Sequence, residues 1–202
     1  MEKLAQVASH ARDDARRAIV DAAEKLFREI GFQKTTIGDI AQGLRMSSAN
    51  VYRFFASKAE INEAVARRLL AEIKMEVAGI ARRPASASQR LRACIVAIDD
   101  ANAQRFLSDR KCHELVETAF NENWIIVREY VQAIDKSLSE IIFEGNRDGE
   151  FHVIDCNLAV MLVRTACAQF YHPRMAVECT ENAEPTIHQL VDFCLVVLER
   201  GL

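Results

Sequence analysis

Apolar residues recur every three or four positions along most of this chain, which is the spacing that lines one face of an α-helix. A short example follows Thr36, where Ile37, Ile40, Ala41 and Leu44 fall at positions i, i+3, i+4 and i+7. The hydroxyl of Thr36 is suited to accept a hydrogen bond from a backbone N–H group of the first turn. The pattern therefore predicts a short helix that begins after Thr36 and buries one side.

A second short helix is predicted from about Ser48 to Phe54, with Ser47 as its N-terminal cap. The residues between the two helices, 44–46, leave room only for a tight turn. A helix of this length is not stable alone in water, so it must pack against its neighbours. Two short helices joined by a tight turn predict a helix-turn-helix unit.

The outward face of the second helix carries small and polar side chains. Small residues at its start let a helix approach the floor of the DNA major groove, so we expect base contacts from Ser48, Asn50 and Arg53. Tyr52 and Lys58 suit phosphate oxygens, which position a protein without reading sequence. The predicted DNA-binding residues are Thr36, Ser47, Ser48, Ala49, Asn50, Tyr52, Arg53 and Lys58.

Each of these residues also has a simpler explanation. Ser47 can serve only as a helix cap, and Asn50 and Arg53 can be ordinary solvated side chains. The prediction of a DNA-binding surface therefore rests on the group rather than on any one member.

The segment resembles the DNA-binding domain of the TetR (tetracycline-repressor-like) family of bacterial transcriptional regulators. The resemblance covers roughly residues 13–65. Residues 19–32, IVDAAEKLFREIGF, are similar to the family's first helix, and Gly31 is typical of a C-terminal helix cap. Residues 51–58, VYRFFASK, resemble the signature of an aliphatic residue, Tyr, any residue, an aromatic residue or His, Phe, two spacers and Lys.

Three positions depart from the family pattern. Arg45 stands in the turn where the family usually has Gly, and Ala49 stands where it often has Gly in the recognition helix. Ala59 replaces the acidic residue that commonly follows the Lys, which removes a local ion pair. A residue other than Gly in the turn is strained if its φ is positive.

The charge is unevenly distributed along the chain. The net charge of -3 divides into +3 for residues 1–58 and -6 for residues 59–202. Phosphate attraction requires positive charge on a DNA-binding surface, and the basic excess lies on the predicted helix-turn-helix domain.

The remainder of the chain predicts further helices and no β-strand. A long helix is expected from Ser57 to about Arg82, ending before Pro84. Others are expected at about 87–107, 109–120, 122–146, 155–171 and 185–200. The fold class is therefore all-α. An N-terminal three-helix DNA-binding domain, residues 1–58 and ordered from about residue 13, precedes a C-terminal helical effector-binding and dimerisation domain, residues 59–202.

Two late segments, around residues 158–170 and 190–198, are apolar on nearly every face. Such helices require burial on both sides, either within a thick domain or against a second copy. The resemblance favours a homodimer, since family members usually pair through a four-helix bundle made of their last two long helices. Two-fold symmetry then implies a palindromic operator in double-stranded DNA.

The resemblance also implies a small-molecule effector that binds between the DNA-binding domain and the dimer interface. Aromatic or soft side chains in this part of the chain are the candidates, although each one alone is better explained as a core residue. The candidates are Phe106, His113, Phe120, Trp124, Met161, Cys167, Phe170 and Tyr171. Their composition favours a moderately hydrophobic effector.

No cofactor, metal or membrane contact is expected. The six Cys residues are scattered without the spacing of a zinc site. The polar N-terminus lacks an export signal, and no run of about 18 apolar residues occurs, so we expect a cytoplasmic protein.

The favoured function is a sequence-specific transcriptional regulator, most simply a repressor that an effector releases from its operator. One alternative is an enzyme that uses Cys112 with His113, or Glu114 with Glu117. Neither pair has a spacing that suits catalysis, and no Gly-rich loop or nucleophile motif accompanies them. A second alternative is a helical interaction protein that does not bind DNA.

Overall fold

The computed structural model describes residues 2–171 and 185–201, and every regular element within them is an α-helix. The predicted all-α fold class is confirmed. In chain order the helices are α1 Glu2–Ile30, α2 Ile37–Gly43, α3 Ser48–Tyr52, α4 Lys58–Ala81, α5 Ala87–Ser108, α6 Arg110–Asn121, α7 Ile125–Arg147, α8 Cys156–Ala166, α9 Ala168–Tyr171 and α10 Ile187–Arg200.

Short polar side chains start most of these helices. At each capped N-terminus, the side-chain oxygen of Ser, Thr or Asp accepts a hydrogen bond from a backbone N–H group that has no partner within the helix. These caps are Thr36, Ser47, Ser57, Ser86, Asp109, Asp155 and Thr186. The start of each of these helices is therefore determined by a few neighbouring residues in the sequence.

The first three helices share a small apolar core. Phe27 of α1, Ile40 of α2 and Val51 of α3 are fully buried, and Phe55 closes the core after α3. Gly31 ends α1 with a φ of +89°, and its N–H group donates to the carbonyl of Phe27 at 3.0 Å. Only glycine adopts this backbone conformation freely, so Gly31 lets the chain turn sharply toward α2.

Helix α4 lies at the centre of the molecule and packs against α1, α5, α6 and α7. Its N-cap is Ser57 and its C-cap is Arg82, which agree with the predicted bounds of Ser57 to about Arg82. Its side chains at spacings of three and four residues are buried; these are Ile61, Val65, Leu69, Ile73, Val77 and Ile80. The helix therefore belongs both to the helix-turn-helix unit and to the helical bundle that follows.

The structure differs from the predicted elements in three places. Helix α1 begins at Glu2, before residue 13 where we expected order to start. Helix α3 ends at Tyr52 rather than Phe54, because the N–H group of Phe54 donates to the third residue back, Val51, in a tighter turn. The single helix expected at 155–171 is divided at Cys167 into α8 and α9.

A compact turn joins α7 to α8. The side chain of Asn146 donates to the carbonyl of Val153 at 2.6 Å and accepts from its N–H group at 2.9 Å. The backbone N–H group of His152 donates to the carbonyl of Leu198 at 2.9 Å, which ties the turn to α10. Beside it, Phe151 is buried against the backbone of α7.

We expect Gly145→Ala to destabilise the protein by about 1–3 kcal/mol, because overpacking forces neighbouring groups to shift. A Cβ atom at Gly145 would lie 2.3 Å from Cδ2 of Phe151 and 2.8 Å from Cβ of Ala87. The matched control is Gly79→Ala in α4, where a Cβ atom meets nothing within 4 Å. The free energy of unfolding of that variant should rise by about 0.5–1 kcal/mol, because alanine is favoured over glycine inside a helix. Urea unfolding checks both values, and equal stability of the two variants would contradict the packing argument.

Candidate nucleic-acid interface and internal cavity

The turn between α2 and α3 has a defined hydrogen-bonding pattern. The N–H group of Met46 donates to the carbonyl of Ala41 at 2.9 Å, and that of Arg45 donates to Gln42 at 3.1 Å. This pair of bonds is the Schellman arrangement, which places the residue after the cap in the left-handed region. Arg45 takes that position with a φ of +54°, so the strain expected for a residue other than Gly is present.

A capping box fixes the start of α2. The backbone N–H group of Asp39 donates to Oγ1 of Thr36 at 3.1 Å, and the N–H group of Thr36 donates to Oδ2 of Asp39 at 2.8 Å. The Thr36 hydroxyl donates to the same carboxylate oxygen at 2.7 Å. These hydrogen bonds from Thr36 favour the charged form and lower the pKa of Asp39.

Helix α3 presents its polar side outward. Ser47, Ser48, Ala49 and Arg53 are exposed, and the side chain of Tyr52 is 54% exposed. Asn50 is half-buried; its backbone N–H group donates to Oγ of Ser47 at 3.2 Å, and its Nδ2 lies 3.8 Å from Sδ of Met46. The opposite side is anchored by the fully buried Val51. The surface thus combines small residues at the start of the helix with polar groups further along it.

Lys58 begins α4 and has an internal partner. Its Nζ donates to the backbone carbonyl of Gln33 at 2.9 Å, in the loop between α1 and α2. Partial burial lowers the pKa of its ammonium group. An ammonium group carries three donors, so this bond leaves two for another acceptor. Lys58 therefore ties α4 to the loop before α2 as well as standing at the edge of the polar surface.

Arg16 holds the end of α3 and was not found by sequence reasoning. Its Nη1 donates to the carbonyl of Phe54, and its guanidinium carbon lies 4.1 Å from the centre of the Phe55 ring. The contact combines a hydrogen bond with a cation–π interaction. The contact joins residues 38 positions apart in the chain, so no local sequence pattern indicates it.

An apolar cavity of about 170 Å³ lies between the later helices. Phe120 of α6 and Tyr130 of α7 meet there edge to face, with ring centres 6.1 Å apart. The cavity is lined by Ile98, Phe120, Tyr130, Val131, Ile134, Arg164 and Ala168. One charged side chain, Arg164, thus stands among aromatic and aliphatic groups.

Two family models match the chain. Residues 19–65 match "Bacterial regulatory proteins, tetR family", and residues 87–191 match "Tetracyclin repressor-like, C-terminal domain". The chain belongs to the TetR family. It is therefore a DNA-binding transcriptional regulator of a class that is not enzymatic.

Relatives of this TetR-family regulator agree with the assignment. The uncharacterized HTH-type transcriptional regulator YhgD of Bacillus subtilis is 26% identical over 140 residues, which are 67% of this chain and 69% of YhgD. The crystal structure of RolR with resorcinol has a TM-score of 0.64 at 15% identity and covers 94% of this chain and 90% of RolR. Thermus thermophilus FadR with lauroyl-CoA has a TM-score of 0.60 at 18% identity, covering 91% and 92%. At these identities the two structures establish the shared fold alone.

Of the predicted effector-binding residues, Phe120 lines the cavity. Met161 does not, because its side chain is 54% exposed on the outer side of α8. Trp124 stands at the start of α7, where its Nε1 donates to Glu122 at 2.8 Å.

Three further effector candidates are core residues outside the cavity lining. They are His113, Cys167 and Phe170. Cys167 packs in the core against Cys194, and a hydrogen bond between the two thiols lowers the pKa of Cys194. The predictions for the side chains of Phe106 and Tyr171 lie outside the part that the structure describes.

The cavity residues that the sequence did not predict come from four helices of the bundle. They are Ile98, Tyr130, Val131, Ile134, Arg164 and Ala168. The sequence pattern that indicates burial of these residues is the helical periodicity of apolar positions. Periodicity alone does not distinguish a residue in a cavity wall from one in a filled core.

The proposed nucleophile Cys112 is buried in the core. Burial raises the pKa of its thiol to about 12, and the charge of Asp109 adds to the effect. A thiol that stays protonated at neutral pH is a poor nucleophile. Among the described residues, no three His, Cys, Asp or Glu side chains are grouped as metal ligands, and no helix is long and apolar enough to cross a membrane.

Helices α8 and α10 expose apolar side chains on their outer sides. Leu158, Met161 and Leu162 of α8 follow the i, i+3, i+4 spacing of a single stripe. Phe193 and Val196 form a similar stripe on α10. The opposite sides of both helices are buried in the core, so these segments are apolar all round, as the sequence indicates.

The capping box predicts a pH-dependent contribution to stability. Because the pKa of Asp39 is lowered below its usual 3.8, its stabilisation is present above about pH 4 and is lost as the pH falls through the folded-state value. Asp39→Asn should therefore lower the melting temperature at pH 7 and have a smaller effect at pH 3. The exposed Asp14 of α1 offers a control, and Asp14→Asn should change little at either pH. Equal effects of Asp39→Asn at both pH values would contradict the assignment.

Proposed function

We propose that this TetR-family regulator is a homodimeric repressor that binds a palindromic operator through α3 and is released by a small-molecule effector. The observation that carries the proposal is the polar outer side of α3. This side is exposed, capped by Ser47 and held by the turn at Arg45. A recognition helix needs these features to enter the major groove with its first turns.

Each side chain of the predicted surface has a proposed role. Ser48, Asn50 and Arg53 contact base edges, while the exposed Ala49 allows close approach. Tyr52 and Lys58 contact phosphates, together with the N-terminal ends of α2 and α3 at Thr36 and Ser47. The exposed Lys34 and Arg45 add positive charge beside them, in support of this orientation.

Substitutions on α3 should separate base contacts from phosphate contacts. Asn50→Ala is expected to weaken operator binding by about 1–3 kcal/mol and leave binding to unrelated DNA unchanged. Tyr52→Phe should weaken binding to both kinds of DNA alike, since a phosphate contact carries no sequence information. Fluorescence anisotropy with the DNA upstream of the protein's own coding region measures both effects.

The control for these variants is Lys136→Ala, which removes an exposed positive charge from α7. It should leave operator affinity unchanged. If the Asn50 and Tyr52 variants both bind the operator as tightly as the wild-type protein does, α3 is not the recognition helix.

Dimerisation is proposed through the apolar stripes of α8 and α10, facing those of a second copy. The family resemblance and the exposure of five large apolar side chains on these two helices support this arrangement. Burying such side chains releases roughly 25 cal/mol per Å² of apolar surface. Two-fold pairing would then present two α3 helices to the half-sites of one palindrome.

Phe193→Asp should convert the dimer to a monomer at micromolar concentration. The Phe193 side chain is 64% exposed on α10, and the second copy would bury an unpaired charge introduced there. Analytical ultracentrifugation measures the change, and operator affinity should fall with it. Met75→Asp is the matched control, since Met75 is 69% exposed on α4, outside the two stripes. A dimer that survives Phe193→Asp would exclude this interface.

Effector control is proposed to act through α4, in the cytoplasm where the DNA lies. An effector in the cavity would favour one arrangement of α5 and α7, which pack on α4, and α4 continues into the helix-turn-helix unit. The effector weakens operator binding only by its preference for the arrangement that does not fit DNA. A coupling free energy of about 1–3 kcal/mol is typical. The ligands bound to RolR and FadR support the idea that this fold accepts small molecules.

A further inference from the structure

The size of the apolar cavity limits what it can hold. Its volume is about 170 Å³, and its walls are formed by Ile98, Phe120, Tyr130, Val131, Ile134 and Ala168, with Arg164 among them. An engineered apolar cavity of about 150 Å³ is known to bind benzene. The space therefore fits a single aromatic ring.

Arg164 provides the positive charge on the cavity wall. Its Nε lies 3.2 Å from Oδ1 of Asp135, but neither atom makes an aligned hydrogen bond within the described residues. A guanidinium group carries five N–H donors in a planar fork, so Asp135 on the Nε side leaves the edge formed by Nη1 and Nη2 for another acceptor. That edge matches the two oxygens of a carboxylate.

Tyr130 adds a neutral donor to the same wall. The residue lines the cavity and is only 6% exposed. Burial raises its pKa, so the hydroxyl stays protonated at neutral pH. A phenolic hydroxyl can donate one hydrogen bond, so a polar ligand group in the cavity would find a donor on this wall.

A second cavity, of about 290 Å³, suits an anion less well. It lies between α1, α4 and α5, and Arg28 and Arg105 contribute positive charge to its wall. Glu72 and Glu76 face the same space. Their carboxylates would repel an anionic ligand. No acidic residue lines the apolar cavity, and the acidic partner of Arg164, Asp135, contacts it on the Nε side without lining the cavity.

We propose that the effector is a small aromatic carboxylate, with its ring in the apolar cavity and its carboxylate on the guanidinium of Arg164. The proposal rests on the effector-controlled function argued above and names its ligand class. Apolar walls supply affinity for the ring, and the charged fork fixes its orientation.

Isothermal titration calorimetry tests the proposal with benzoate as the probe and benzamide as its neutral isostere. Benzoate should bind at least tenfold more tightly than benzamide. Arg164→Gln should weaken benzoate binding at least tenfold and leave benzamide unchanged. The control Arg128→Gln removes an exposed positive charge from α7 and should alter neither affinity.

Ala168→Leu separates cavity binding from surface binding, because it adds bulk to the cavity wall. It should weaken benzoate and benzamide alike, and melting temperatures of all variants identify any that fail to fold. Equal affinity for benzoate and benzamide, or an Arg164→Gln variant that binds benzoate as the wild type does, would overturn the proposal. Benzoate affinity that survives Ala168→Leu would also overturn it.

Operator binding measured on the same preparations keeps the two proposals distinct. Operator binding without benzoate binding would overturn the ligand class and leave the DNA-binding function intact. Benzoate binding with the expected Arg164 dependence would support the ligand class even if α3 proved not to read the operator.

Discussion

Burial of α4 from several sides is the constraint on which the rest of the structure depends. The helix packs against α1 at the helix-turn-helix unit and against α5, α6 and α7 in the bundle. Its apolar side chains are almost fully buried, so moving the helix alone would open cavities at a cost of several kcal/mol. Because the close-packed interior transmits strain, a shift of α5 or α7 has to be followed by α4 and then by α1. The cavity is connected to the helix-turn-helix unit through this shared helix and also through α6, which lines the cavity at Phe120 and packs directly on α1.

Polar contacts reinforce α4 at the junction of the two halves. Arg28 near the end of α1 pairs with Asp109, the residue that caps α6, and Arg68 of α4 pairs with Asp21 and Glu24 of α1. Partly exposed ion pairs contribute little to stability, so their main effect is to define orientation. A partly buried hydrogen bond lies beside them. Arg105 of α5 donates to the backbone of α4, and its charge acts on Tyr130 in the cavity wall. Arg105 thus connects the cavity wall, at Tyr130, with the backbone of α4.

The sequence was sufficient for features that a few neighbouring residues determine. The caps at Thr36 and Ser47 and the turn at Gly31 require only local hydrogen bonds and backbone preferences, so they follow from spacing. The cavity could not be predicted in the same way, because residues from α5, α6, α7, α8 and α9 meet there and periodicity marks a buried side without showing what faces it. Arg164 illustrates the difference, since an arginine on a helix suggests solvent until the fold places it on a cavity wall. The roles of individual residues in DNA binding stay predictions.

Arg45 shows a conflict between stability and charge at the candidate DNA interface. A left-handed residue other than Gly costs roughly 1–2 kcal/mol, and glycine would avoid that cost at this turn. The turn nevertheless forms, because both Schellman hydrogen bonds are made and the buried Ile40 and Val51 hold α2 and α3 together. An exposed guanidinium two residues before the α3 cap adds positive charge to a surface that approaches phosphates, whereas glycine would contribute no charge. Strain maintained by surrounding structure is common at functional sites, and here the surrounding structure is the small core beneath α3.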